Sequence, residues 1–212
     1  MAEWIALDRL ALAPQPDRIV GIDTEGRGVD HAEFRTRVLG WQQAFAAAPG
    51  RDWALYFDDT LAFAAALFGA WHAGKRVFLG GDSLPATLDG LGPRVDGFAG
   101  DVPARYAPLQ PLDAAPPDTV LAALDEDALE LVVFTSGSTG APSAISKRMR
   151  QLTREVDALQ AAFGEQLDGA QVHGTVSHQH IYGLLFRVEL AVANVSVFEP
   201  RDAMAYLESG EA

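Results

Sequence analysis

Leu131-Val132-Val133-Phe134-Thr135-Ser136-Gly137-Ser138-Thr139-Gly140-Ala141-Pro142 is an apolar run that ends abruptly in hydroxyls and glycines. Glu130 to Phe134 is short, β-branched and aromatic, which predicts a buried strand, and the glycines and proline that follow stop it. A strand therefore delivers a loop to a sheet edge. Gly137 and Gly140 tolerate positive φ and let backbone approach a ligand, while Thr135, Ser136, Ser138 and Thr139 set hydroxyls beside backbone N–H groups. Such a nest suits phosphate.

Spacing excludes two other loops. A Walker A loop needs G-x-x-x-x-G-K-[ST], whereas Gly140 is followed by Ala141 and the next lysine is Lys147. A nucleophile elbow needs G-x-S-x-G, which Gly137-Ser138-Thr139-Gly140 does not supply. The stretch resembles the T-S-G-[ST]-T-G-x-P-K phosphate loop of the adenylate-forming superfamily of acyl-CoA synthetases, luciferases and adenylation domains. Thr135 to Pro142 matches at every specified position, but Ser143 stands where the family carries lysine. The run from Ala141 to Leu152 looks most like the stand-alone ligases of aryl-polyene and xanthomonadin-type pigment clusters. A second segment, His180-Ile181-Tyr182-Gly183-Leu184, matches the family's H-x-[YFA]-G-L motif.

The resemblance implies ATP and Mg²⁺ as cofactors and a small carboxylic acid as substrate, activated as its adenylate and passed to a thiol of CoA or an acyl carrier protein. It also implies that Thr135, Ser136, Gly137, Ser138, Thr139, Gly140 and Lys147 hold phosphate. His180 would sit near the acyl carboxylate, with Tyr182 and Gly183 shaping the pocket wall. An imidazole can donate to a carboxylate and glycine leaves room for a ring, so the residue types agree. The family's later motifs, including a C-terminal catalytic lysine, are not recognisable, so the chain is expected to match only the N-terminal part and to be inactive by itself. The rival reading is a non-catalytic nucleotide-binding or interaction module that kept the fold and lost the chemistry.

Outward from the loop, strand and helix signals alternate. Arg18 to Asp23, Trp53 to Phe57, Arg76 to Leu79 and Val95 to Phe98 predict strands. Phe34, Val38, Trp41 and Phe45 recur at helical spacing behind an Asp30/Glu33 capping box, and Asp58 or Asp59 caps Leu61 to Ala73. A short helix is expected over Ser83 to Asp89. Ala144 to Arg148 predicts a return strand, and Met149, Leu152, Val156, Leu159 and Phe163 predict a further helix. Ala170 to Val176 and Val195 to Phe198 predict strands, and Pro200 to Leu207 a short helix. The alternation gives an α/β fold with a mostly parallel sheet and helices on both faces, as in the N-terminal part of the adenylate-forming large domain. A proline-rich stretch over Asp101 to Thr119 suggests two parts, 1–118 and 119–212.

The chain has 212 residues, 49% of them hydrophobic, enough for a sizeable core. With no cysteine there is no disulfide or thiolate chemistry. The amino terminus has no leader pattern and no apolar run reaches the ~20 residues of a membrane helix, so a soluble cytoplasmic protein is expected. A net charge of −13, with lysine only at 75 and 147, disfavours nucleic acid. Asp125-Glu126-Asp127 is read as a solvated turn rather than a Mg²⁺ site, and His173, His178 and His180 lack a carboxylate at zinc spacing, so no protein metal site is expected. Apolar surface left uncovered by a partial domain would favour a homo-oligomer.

Overall fold

The computed structural model describes residues 5–12, 18–23, 25–112, 119–135, 143–167, 171–173, 176–185 and 196–198. Strands β1 (Ile19–Ile22) and β2 (Gly28–Asp30) form an antiparallel hairpin, with Gly26 at φ +79° between them. Helix α1 (His31–Ala47) follows directly, and the Asp30 carboxylate accepts the Glu33 N–H at 2.7 Å as its N-cap. The reciprocal half of the expected capping box is absent. Glu33 instead receives Arg27 at 2.7 and 2.9 Å and Arg37 at 2.6 Å, and the Arg27 hydrogen bonds above all hold its carboxyl down at about 2.

The central sheet has the order β5-β3-β4-β6-β7, built from β3 (Asp52–Tyr56), β4 (Arg76–Leu79), β5 (Gly97–Gly100), β6 (Leu129–Thr135) and β7 (Ser143–Arg148). The first four run parallel and β7 returns antiparallel beside β6. Side chains alternate across it as strand geometry demands. Leu55, Val77, Leu79, Leu131 and Val133 join one core with α1, α2 (Thr60–His72) and α4 (Met149–Leu167). Ala54, Phe78 and Val132 join a second, smaller core with Leu88 and Leu91 of α3 (Pro85–Leu91), and Phe134 packs against it. Helices therefore cover both faces, but unequally.

Helix α2 is apolar nearly all round because it is buried nearly all round, from Thr60 to Trp71. Its Asp59 cap accepts the Ala62 N–H at 2.6 Å. Gly69 lets α1 close in: a Cβ there would lie 2.4 Å from that of Trp41. Phe34, Phe45, Phe63 and Phe68 are fully buried between these elements, each contributing about 1.5–3 kcal/mol of transfer free energy. The turn after α2 is fastened by buried Lys75, whose ammonium donates to the carbonyls of Ala48 and Gly50.

Some boundaries move for local reasons. The fifth strand starts at Gly97 rather than Val95 because Asp96 turns back to accept the N–H groups of Arg51 and Asp52 at 2.7 and 2.8 Å. In α4, Met149, Leu152 and Val156 are buried, but Phe163 is 41% exposed, so the apolar stripe runs past the end of the core. Strands β8 (Gln171–His173) and β9 (Ser196–Phe198) pair in parallel, and the helix expected over Pro200 to Leu207 lies outside the described residues. No helix among the described residues is long and apolar enough to cross a membrane.

Candidate functional site

In an open parallel sheet the carboxyl ends of the strands form the natural crevice, and the cavity lies there. Its volume is ≈ 970 Å³, and its wall is shared by Gly80-Gly81-Asp82 after β4, Ala86-Thr87 and Gly90-Leu91 of the α3 region, Arg94, Val133-Phe134 near the end of β6, and His180-Ile181-Tyr182. Gly81 has φ +91°, and a Cβ on it would come within 3.2 Å of the His180 ring. The strand thus turns away in a conformation only glycine adopts freely, where an imidazole comes close. Asp82 is committed locally, accepting the Leu84 N–H at 3.0 Å.

The His178–Leu184 segment is anchored from below. Buried His178 bonds the Phe57 carbonyl through Nε2 at 2.9 Å and the Thr60 hydroxyl through Nδ1 at 3.1 Å. A carbonyl only accepts, so Nε2 carries a proton, and both ring nitrogens are occupied. Gln179 also donates to the Phe57 carbonyl, at 3.1 Å, and the His178 ring lies 4.8 Å from that of Phe63. His178 is therefore a structural post, not a metal ligand. No group of three metal-binding side chains occurs among the described residues. Asp127 pairs with Arg150 at 2.7 Å, and Asp125 accepts the Asp127 N–H, so the acidic cluster is a self-satisfied turn.

This post aims the short helix α5 (Ile181–Gly183), with His180 at its N-cap and the Leu184 N–H on the His180 carbonyl at 2.8 Å. His180 and Tyr182 lie on the cavity wall, and Tyr182 is 72% exposed at the mouth. Gly183 does not line the cavity. It is buried behind, where a Cβ would stand 2.1 Å from the Ser177 carbonyl oxygen, so close backbone approach rather than room for a substrate ring accounts for the glycine.

Thr135 closes β6, and its backbone pairs with Ser143 of β7. Ser136, Gly137, Ser138, Thr139 and Gly140, the remaining phosphate-loop residues, lie outside the described residues. Lys147 lies in β7. It pairs with Leu131, about 13 Å down the strand from Ser143, and its ammonium is bonded to Glu155 on the α4 face of the sheet, opposite Phe134. Two residues unmarked by any motif take part instead: Gly81, signalled only by a glycine pair after a strand, and Arg94, whose guanidinium lies 5.6 Å from the centre of the Phe134 ring.

No protein-family model and no curated protein matches the sequence. Solved structures share the fold. The chain is similar to o-succinylbenzoate CoA synthetase from Bacillus subtilis in complex with its acyl-adenylate intermediate, at 19% identity and TM-score 0.73 over 99% of this chain and 60% of that one. It is also similar to the amide bond synthetase McbA from Marinactinospora thermotolerans, at 20% identity and TM-score 0.67 over 98% of this chain and 48% of that one. A third is the N-terminal subdomain of NpsA from Klebsiella oxytoca in complex with 3-hydroxybenzoyl-AMSN, at 13% identity and TM-score 0.70, over 99% and 59%. The chain thus spans about half to three fifths of the length of these proteins, and its α/β fold, with a mostly parallel sheet flanked by helices, is that of the N-terminal part of adenylate-forming enzymes.

Proposed function

We propose that this chain is the N-terminal part of an AMP-forming carboxylate ligase. The observation that carries the reading is one cavity at the strand ends, walled by His180 and Tyr182 on one side and by Phe134, which leads directly into the Thr135–Pro142 motif, on the other. In the first half-reaction a substrate carboxylate oxygen attacks the α-phosphorus of ATP, the bond from that phosphorus to the bridging oxygen breaks, and pyrophosphate leaves with the electron pair. A thiol then attacks the acyl carbon and AMP departs. No protein nucleophile is needed, so the site's work is positioning and charge stabilisation.

In this reading the hydroxyls of Thr135, Ser136, Ser138 and Thr139 and the backbone of Gly137 and Gly140 hold phosphate. His180 donates to the substrate carboxylate, and Phe134, Leu91, Ile181 and Tyr182 offer apolar and aromatic wall to its body, which suits a small aromatic acid. The described residues offer no three-ligand cluster for Mg²⁺, so the ion fits as one carried by the nucleotide's phosphates, where it would neutralise charge. Support comes from structural neighbours solved with ATP and magnesium, with an acyl-adenylate and with a 3-hydroxybenzoyl analogue. The cytoplasm, which supplies ATP together with CoA and carrier-protein thiols, is the matching compartment, and the run from Ala141 to Leu152 points to the pigment-cluster ligases as the sub-family.

Acid-dependent exchange of labelled pyrophosphate into ATP by the protein at its full natural length tests this. Exchange with hydroxylated benzoic acids is expected, and its absence across aromatic and aliphatic acids sinks the reading. The non-catalytic alternative draws on Ser143 in the usual lysine position and on Lys147 lying across the sheet. It predicts ATP binding without exchange.

A further inference from the structure

We propose that Arg94 is the cation that meets the phosphate groups of a nucleotide in this cavity; the inference rests on the nucleotide-binding reading above. A nucleoside triphosphate brings several negative charges into a chain that already carries −13, and hydroxyls and amides alone leave that charge unneutralised. A protein cation at the strand end would share that neutralisation with the nucleotide's Mg²⁺. Lys75 is buried on the Ala48 and Gly50 carbonyls, and Lys147 is held by Glu155 on the far face of the sheet. Among the described residues, Arg94 is the arginine on the cavity wall, and it forms no ion pair with them although the sequence holds 29 carboxylates.

Its placement is specific. Arg94 ends the 3₁₀ turn Gly92–Arg94 after α3, and its guanidinium sits over the Phe134 ring, whose residue stands one position before Thr135. Stacking on the ring steadies the fork without using any of its N–H donors, which stay available for bidentate phosphate oxygens. Asp82, the carboxylate among the described residues of the wall, is engaged by the Leu84 amide.

Equilibrium binding of magnesium pyrophosphate to the chain, with benzoate as a second probe, tests this. Arg94→Ala is expected to weaken pyrophosphate about ten- to a hundredfold and to leave benzoate within twofold. Arg94→Lys keeps the charge but loses the fork and should fall between. Arg105→Ala, an exposed arginine bonded to Tyr106, should match the unaltered chain. Arg94 is exposed, so its variants should fold, as circular dichroism will verify. The proposal is overturned if Arg94→Ala binds pyrophosphate normally, if Lys147→Ala is the variant that weakens it, if benzoate alone is lost, or if the unaltered chain takes up no pyrophosphate at millimolar concentration. Pyrophosphate exchange by the full-length protein that survives Arg94→Ala sinks this inference and leaves the ligase reading standing.

Discussion

Lowering the pH from 7 to 5 should destabilise this protein, and His72 should be the main reason. His72 lies in the last turn of α2, where its ring bonds the Ala122 backbone while Nε2 is buried without a partner among the described residues. Burial pushes its pKa from 6.5 to about 4, ahead of the opposing Ala122 bond. Because the unfolded chain takes up this proton first, stability is intact above about pH 6.5 and falls as pH drops toward 4. The slope is about 1.4 kcal/mol per pH unit, so roughly 2 kcal/mol is gone by pH 5, or about 4–8 °C in Tm for a chain of this length. His31, buried against the Leu10 carbonyl and likewise lowered chiefly by burial, acts in the same direction. The carboxyls of Asp23, Glu33 and Asp96 are held below their ordinary values, so their contributions fade at lower pH and leave the 5–7 window to histidine. Thermal melts at half-unit pH steps on the unaltered chain and on His72→Gln measure this. The variant should lose most of the slope between pH 6.5 and 5. Parallel curves for the two proteins would refute the assignment.

Lys75→Met should cost about 2–4 kcal/mol in urea unfolding, because the Ala48 and Gly50 carbonyls lose a charged donor; a loss under about 1 kcal/mol would mean that water replaces it. Gly81→Ala should cost about 1–2 kcal/mol for its φ of +91° and displace the His180 ring, seen as a changed imidazole NMR shift; an unmoved ring would show that the close approach constrains nothing. Gly183→Ala forces a Cβ against the Ser177 oxygen and should cost about 1–3 kcal/mol, so a neutral result would place α5 elsewhere. Removing the α2 cap with Asp59→Ala should cost about 1 kcal/mol in the same assay.

The sheet was legible because its signals are local. Leu131 and Val133 against Val132 and Phe134, the Asp30 and Asp59 caps, and the Ala144–Arg148 return strand each follow from periodicity or a single side chain. Glu33 illustrates the limit: its spacing fits a capping box, yet two arginines, one of them across the β2 turn, outcompete a backbone amide. The cavity is harder still. Gly81, Arg94, Phe134 and His180 are assembled from four separate stretches by strand order, and periodicity carries no information about which strand ends become neighbours. Lys147 likewise shows that the face a side chain takes follows from alternation along β7, which sets it beside Glu155 of α4.

The order β5-β3-β4-β6-β7 also sets a timetable. The β3–α2–β4 unit can close as soon as it is made, whereas β4 meets its other neighbour only when Leu131 to Val133 arrive, roughly fifty residues later. At about 5–20 residues per second that is several seconds during which one hydrogen-bonding edge of β4, carrying Val77 and Phe78, stands open in a nascent chain. The strand is only four residues long, begins with Arg76 held by Asp52, and is followed at once by Gly80, all of which limit pairing with a stray strand. Substitutions that weaken β6 should therefore lower the yield of folded protein during synthesis more than their effect on equilibrium stability alone would suggest.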